Sequence, residues 1–285
     1  MLFCNFAIQY FHYCMIKMYN SEKSEIARYL SFFLALSTLL LAFASCSSEE
    51  EKRRLSHADR VRQHKEDSLA LKIAILPTSD CDVVRVADSM GVFDSLGVAV
   101  RLKQFSSLSE CRIALRKRLV EGAFIDSVLA RVIMEKDTTA LTLGPATPLS
   151  WKLLTSRKAR IVRMEQLADK ILAADSHGAS KELAESIADS LKKEKKTVFV
   201  LQCEDPRIRM NMLAHGNVDA ALLPEPYATQ VMRHGSRLLR NYSPTEKGVV
   251  AFRASCLKDK RIRAQYELFL KGYAIAADSI MRRRK

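Results

Sequence analysis

The sequence predicts an α/β fold built in two halves, because short β-like runs alternate with helical ones from Leu71 to Ile280 and the alternation restarts once. Glycines stop the helical runs at Gly91, Gly122 and Gly216, and Asp205-Pro206 opens one with an N-cap residue and a proline at the first helical position. Strands alternating with helices of this length imply parallel pairing.

Leu71-Lys72-Ile73-Ala74-Ile75-Leu76 reads as the first strand, halted by Pro77. Residues 82–90 follow as helix, and residues 98–102 as the second strand. A helix over 109–121 leads to the third strand at Ala123-Phe124-Ile125, then a helix over 127–135 and a strand over 140–143. The second half opens with a strand at 151–155 and a helix or turn at 164–170. A strand at 171–174, a helix at 178–193 and a strand at 198–202 come next. The helix opened by Asp205 runs to Gly216, and apolar strands at 220–223 and 249–252 precede a final helix over 264–280.

Ahead of this body, Lys23 and Arg28 flank an apolar run over 30–43 that ends in Ala44, Ser45 and Cys46. A charged flank, a short apolar stretch and a small-residue exit make a secretory signal. The run falls short of the roughly 18 apolar residues that read as a membrane span. Residues 1–45 are therefore read as a signal peptide, and a start at Met18 gives a signal of ordinary length. Ser47-Ser48-Glu49-Glu50-Glu51 begins a charged stretch reaching residue 70, which has too little apolar surface to bury a core and reads as a tether.

Residues 46–285 are enough for one large or two medium domains. The net charge of +14 is scattered, with clusters at Lys192-Lys193 and Lys195-Lys196 and at Arg282-Arg283-Arg284-Lys285. No zinc-finger spacing or aromatic-basic RNA motif accompanies it, so a nucleic-acid partner is not expected, and a solvated basic surface near anionic lipid is. No nucleophile elbow, paired-histidine helix, P-loop or dinucleotide glycine fingerprint is present, so no catalytic residue, metal or cofactor is assigned. Cys81, Cys111, Cys203 and Cys256 contain no C-x-x-C pair, and four cysteines allow three disulfide connectivities. Cys81 and Cys111 fall on neighbouring loops and are read either as a disulfide or as a buried thiol pair.

In an open α/β sheet, ligands gather beyond the carboxyl ends of the strands. That rule selects Thr78, Ser79 and Asp80 after the first strand, Asp126 after the third, Asp175, Ser176 and His177 in the second half, and Glu225 and Tyr227 after Pro224. Ser79 and Ser176 also suit helix caps, and Asp80 and Asp126 also suit caps or surface positions. The prolines on either side of Glu225 give it a rigid presentation.

Leu71-Lys72-Ile73-Ala74-Ile75-Leu76-Pro77-Thr78 and Ala87-Asp88-Ser89-Met90-Gly91-Val92-Phe93-Asp94-Ser95-Leu96-Gly97-Val98 resemble the opening of type 2 periplasmic binding proteins, in the branch serving nitrate, sulfonate, taurine and thiamine-precursor transport. Glu121-Gly122-Ala123-Phe124-Ile125-Asp126 resembles the family's third-strand element. The stretch Gly216-Asn217-Val218-Asp219-Ala220-Ala221-Leu222-Leu223-Pro224-Glu225-Pro226 resembles a later one. The resemblance implies an α/β fold of two lobes with a ligand cleft between them, residues 71–155 plus 243–285 forming lobe 1 and residues 156–242 forming lobe 2. It implies a solute-binding, non-enzymatic protein that delivers a small polar molecule to an ABC permease. Thr78, Ser79, Asp80, Asp126, Ser176, Glu225 and Tyr227 are the expected ligand-facing residues. The carboxylates among them favour a ligand bearing amines, such as an aminopyrimidine.

Phe43-Ala44-Ser45-Cys46 resembles a bacterial lipobox, which implies lipidation of Cys46, export, and anchoring to a membrane with the periplasmic face expected. The acidic residues after Cys46 resemble surface-export signals of Bacteroidota lipoproteins. The alternative readings are thus a surface lipoprotein that binds a partner or glycan, and a lyase on the same fold.

Overall fold

Two five-stranded sheets carry the chain in a computed structural model, described over residues 69–137, 139–242 and 248–283. The expected signal peptide, the expected lipidation site Cys46 and the expected tether up to residue 68 lie outside the described residues. In the first sheet β1 (Leu71–Ile75) pairs in parallel with β2 (Val100–Gln104) and β3 (Gly122–Asp126). There β10 (Gly248–Arg253) lies between β3 and β4 (Leu141–Thr147), antiparallel to both. In the second sheet β6 (Lys170–Ala174) is parallel to β7 (Val198–Gln202) and β8 (Ala220–Pro224). Here β5 (Trp151–Thr155) runs antiparallel to β8 and to β9 (Arg237–Tyr242).

Both sheets are therefore mixed, whereas the alternation predicts parallel ones. The chain passes from β4 directly into β5 of the other sheet and returns after β9 as β10. A strand delivered by such a passage has no βαβ helix ahead of it, so the parallel rule does not govern its direction. The first passage also falls earlier than expected. Trp151–Thr155 belongs to the second lobe, where Leu153 pairs with Leu222 and Trp151 with Pro224. It is buried on both faces, with Trp151 and Leu153 in one apolar cluster and Leu154 in another.

The helices are α1 (Asp82–Ser89), α2 (Val92–Ser95), α3 (Leu108–Arg116) and α4 (Ser127–Lys136), then α5 (Ala179–Lys193), α6 (Pro206–His215), α7 (Tyr227–Arg233) and α8 (Lys260–Arg283). The helix expected to reach residue 121 stops at Arg116, because Arg118 turns left-handed (φ 56°) and the Leu119 amide folds back on the Ala114 carbonyl at 2.9 Å. β3 then starts at Gly122, where a Cβ would sit 2.6 Å from the Phe252 ring of the neighbouring strand. α8 begins earlier than expected because the Asp259 carboxylate accepts from the amides of Arg261 (2.8 Å) and Ile262 (3.3 Å). It packs on the first sheet through Phe269, stacked on Phe93 and edge-on to Phe252.

Alternation along β1 divides lobe 1 into two packed layers. Leu71, Ile73 and Ile75 face the α8 side, and Ala74 faces α3. The α3 layer is continuous with residues of the second lobe, including Trp151, Leu153 and Leu172. Apolar packing thus joins the lobes.

The same division separates the two thiols that the sequence placed together. Cys81 is buried in the α8-side layer and Cys111 in the α3-side layer, and both are free, so the disulfide reading does not hold in this structure. Burial pushes both thiols up from their ordinary pKa. With residues 47–285 under native conditions, a thiol reagent is expected to modify Cys203, the half-buried one, well before Cys81 and Cys111, which react only on unfolding; peptide mass mapping after timed labelling reads this order.

Candidate functional site

The first wall of the cleft is the loop after β1. Pro77 ends the strand, Thr78 stays extended, and Ser79–Cys81 make a single 3₁₀ turn into α1. Arg85, one helical turn along, donates to the Thr78 carbonyl (3.1 Å) and to the Leu76 carbonyl, so the helix holds the loop's shape. Thr78 and Asp80 are buried. The Asp80 carboxylate has one oxygen 3.8 Å from the Cys81 thiol and the other, Oδ1, without a hydrogen-bond partner among the described residues. Burial pushes the Asp80 carboxyl up; the Thr78 hydroxyl and the Arg85 charge pull it down by less.

The opposite wall comes from the ends of β6 and β7. Asp205 caps α6 by accepting from the Arg207 amide at 2.7 Å, and Pro206 fills the first turn. Arg209, in the first turn of this helix, points inward. Its side chain is 0% exposed, with Nη1 donating to Asp175 Oδ1 at 2.6 Å and to the Cys203 carbonyl at 3.0 Å. The guanidinium carbon stands 5.7 Å from the centroid of the Trp151 ring. Arg209 Nε and Nη2 and the Trp151 indole Nε1 have no hydrogen-bond partner among the described residues. Asp175 accepts from Ser180 Oγ at 2.5 Å on its second oxygen, and burial outweighs both partners and pushes its carboxyl up.

Between these walls sits a polar cluster. Glu204 accepts from Ser109 Oγ of α3 at 2.5 Å, from the Ser176 amide at 3.0 Å and from Ser176 Oγ. His177 Nδ1 lies 2.6 Å from Ser176 Oγ. Burial works to raise Glu204, but the Ser109 and Ser176 hydrogen bonds outweigh it and hold the carboxyl below its usual range. A catalytic triad needs the carboxylate on the histidine and the histidine on the serine. Here the carboxylate takes both serine hydroxyls itself, which makes the cluster a bridge between α3 and the second lobe.

Several expected ligand residues are engaged elsewhere. Asp126 is fully buried and accepts from the Leu129 amide of α4 (2.6 Å) and from the Ala179 amide at the start of α5 (3.0 Å). One carboxylate therefore caps a helix in each lobe. Glu225 is taken by Lys152 and by the amide and hydroxyl of Thr229 (3.1 and 3.0 Å). These donors overcome the effect of burial and lower its pKa. Its backbone carbonyl accepts from the Ser79 amide at 2.9 Å, so Ser79 and Glu225 meet across the lobes through backbone alone. Tyr227 packs in the core with Leu154, Ala173 and Leu213. Ser176 belongs to the Glu204 cluster.

The cavity these walls enclose has a volume of about 20 Å³ and is lined by Thr78 and Asp80, by Asp175, Glu204 and Arg209, and by Trp151 with apolar neighbours such as Leu108, Phe124 and Pro224. That volume holds about one water, far below the several hundred Å³ of an organic-ligand site. The lobes are closed on each other by the Ser79–Glu225, Asp126–Ala179 and Ser109–Glu204 bonds and by Arg131–Glu182 at 2.6 Å. Of the residues selected by the strand-end rule, Thr78, Asp80 and Asp175 line the cavity. Arg209, Trp151 and Glu204 were not anticipated, although the strand-end rule reaches Glu204 and the first turn of α6 once β7 is placed.

No protein-family model matches the chain, and no curated protein matches it. Solved structures do resemble it. The ligand-binding component of an ABC-type import system from Staphylococcus aureus, with zinc bound, superposes with a TM-score of 0.61 at 13% identity over 73% of each chain. The alkanesulfonate-binding protein SsuA from Xanthomonas axonopodis pv. citri, bound to MOPS, gives 0.60 at 14% identity over 75% of each chain. A nutrient-binding protein from Burkholderia cenocepacia bound to methionine gives 0.55 at 12% identity, over 72% of this chain and 92% of the other. At these identities the likeness establishes the fold, which is the two-lobed fold of periplasmic binding proteins. Among the described residues no group of three His, Cys, Asp or Glu side chains could hold a metal ion, and no helix is long and apolar enough to cross a membrane.

Proposed function

We propose that the chain is the solute-binding subunit of an ABC importer, capturing a small polar molecule between its lobes and presenting it to a permease. The observation that carries the reading is the convergence of buried polar groups from both lobes, Asp80 on one wall and Arg209 with Trp151 on the other, on one cavity. Polar groups left unpaired in an interior are costly unless something satisfies them. Entry of an organic molecule requires the lobes to part, which exchanges the hydrogen bonds between them and opens part of the apolar layer they share. The fold, together with the resemblance along residues 71–226, supports binding rather than catalysis.

In this proposal lipid on Cys46 and the tether to residue 70 keep the two lobes near the membrane. Export to the periplasmic face suits an importer. The acidic residues 49–51 favour the cell surface instead, as for a lipoprotein that binds a partner or glycan, and protease shaving of intact cells separates the two. An aminopyrimidine ligand drew its support from Asp80, Asp126 and Glu225. With Asp126 and Glu225 occupied by protein donors, Asp80 alone supports it. The test is mass spectrometry of small molecules that co-purify with residues 47–285, which contain the whole compact unit from Leu69 onward. A stoichiometric small molecule lost on denaturation is the expected result; retention of a protein or glycan in its place would favour the surface reading.

A further inference from the structure

We propose that the ligand is a small zwitterion, its anionic group held by Arg209 and Trp151 and its ammonium by Asp80, an inference that rests on the reading of the cleft as a solute site. Arg209 spends one end of its guanidinium on Asp175 and the Cys203 carbonyl, both through Nη1. Nε and Nη2 lie side by side on the other edge of the planar group, buried and without a partner among the described residues. Two parallel N–H donors on one edge are what a carboxylate or sulfonate accepts in bidentate fashion. The indole N–H of Trp151, whose ring lies against the same guanidinium, is a third buried donor without an acceptor.

Across the cavity the deficit has the opposite sense. Asp80 Oδ1 is a buried acceptor without a donor, and an ammonium supplies donors and charge together. A carboxylate or sulfonate alone satisfies the Arg209 wall and leaves Asp80; an amine alone does the reverse. Because Asp80 belongs to lobe 1 and Arg209 and Trp151 to lobe 2, a molecule carrying both groups bridges the lobes once they have parted far enough to admit it. Charge balance agrees. Asp175 already neutralises Arg209, so the anchor acts through directed N–H groups, and a zwitterion adds no net charge beside Asp80 and Glu204, the other carboxylates of the lining. Leu108, Phe124 and Pro224 along the lining suit a short apolar body between the two charged ends.

The test is a thermal-shift panel on residues 47–285 with matched sets: α-amino acids, β-alanine and taurine; the same skeletons without the amine; the same skeletons without the acid; and aminopyrimidines. Zwitterions are expected to raise Tm, and their deaminated and decarboxylated partners are not. For the best zwitterion, Asp80→Asn is expected to weaken binding by about 10- to 100-fold in calorimetry, and Trp151→Phe, which keeps an aromatic face but removes the N–H donor, by about tenfold. Asp80→Asn should fold as well as the parent, since burial opposes the charge it removes. Equal or larger shifts with amines or aminopyrimidines overturn the zwitterion and leave the solute-binding reading standing, as does a co-purified ligand of another charge class. If nothing in the panel shifts Tm and no small molecule co-purifies, both readings fall.

Discussion

Asp175→Asn is expected to destabilise the chain by about 3–5 kcal/mol in urea unfolding of residues 47–285, the cost of removing one partner from a buried ion pair. Arg209 is 0% exposed and Asp175 is its ion partner in the core. A guanidinium cannot shed its proton at any pH where the protein folds, so the charge stays buried without its counterion. Asparagine keeps an oxygen for Nη1, and the loss is mainly electrostatic. Arg209→Met strands the other partner, and a carboxylate has an escape that a guanidinium lacks: it can take up a proton. Burial already pushes Asp175 up against the pull of Arg209 and Ser180, and without Arg209 it rises further above its unfolded value. A carboxyl raised in the folded state contributes stability that is fully present below the unfolded pKa and is lost as pH rises through the folded pKa. The Arg209→Met deficit should therefore grow from acid towards neutral pH, while Asp175→Asn, which has no carboxyl at that position, should lack that trend. Parallel pH profiles for the two variants would show that the pair is not coupled as its geometry implies.

Arg209 also marks where sequence reasoning ran out. Apolar strands such as Ala220–Pro224 and Gly122–Asp126 stand out locally, because both faces of a central strand are buried and the run is unbroken. The loops beyond them follow from the strand-end rule, which selects Thr78, Asp80 and Asp175 in the cavity lining. In Pro206–His215, by contrast, Arg207 is exposed and Arg209, two positions on, is fully buried. Nothing in the helix tells them apart. Asp175, after another strand, and Trp151, after the passage between lobes, decide which arginine turns inward. Asp126 and Glu225 fail in the opposite way. Both stand at strand ends as expected, but their partners were invisible, since an Ala179 amide in the other lobe and the Lys152–Thr229 donors are set by tertiary contact. Mixed pairing went unseen for a related reason: alternation records which residues are buried and carries no sign of strand direction.

Gly178→Ala is expected to lower stability by about 2–5 kcal/mol and to shift the lobes towards an open arrangement. Gly178 has φ 80° and ψ −167°, a region that residues with a Cβ almost never enter, and forcing one there costs about 1–3 kcal/mol. The added methyl would also stand 2.4 Å from Asp126 Oδ2, so either the carboxylate or the start of α5 must move. Asp126 caps α4 in its own lobe and α5 in the other, and displacing it forfeits a helix cap of about 1 kcal/mol and a bond across the cleft. The Ser109–Glu204 and Ser79–Glu225 bonds remain, so the two lobes should stay folded while their closed population falls. Small-angle scattering should then give a larger radius of gyration than the parent, and urea unfolding a lower midpoint. Asp126→Asn serves as the control, because it keeps one acceptor oxygen, leaves the backbone of Gly178 unstrained and should fall between the two. A loss of stability with an unchanged radius would make Asp126 a cap for two helices that closes nothing. A larger radius that shrinks again when a ligand is added would identify the Asp126–Gly178 contact as part of the closure on which binding depends.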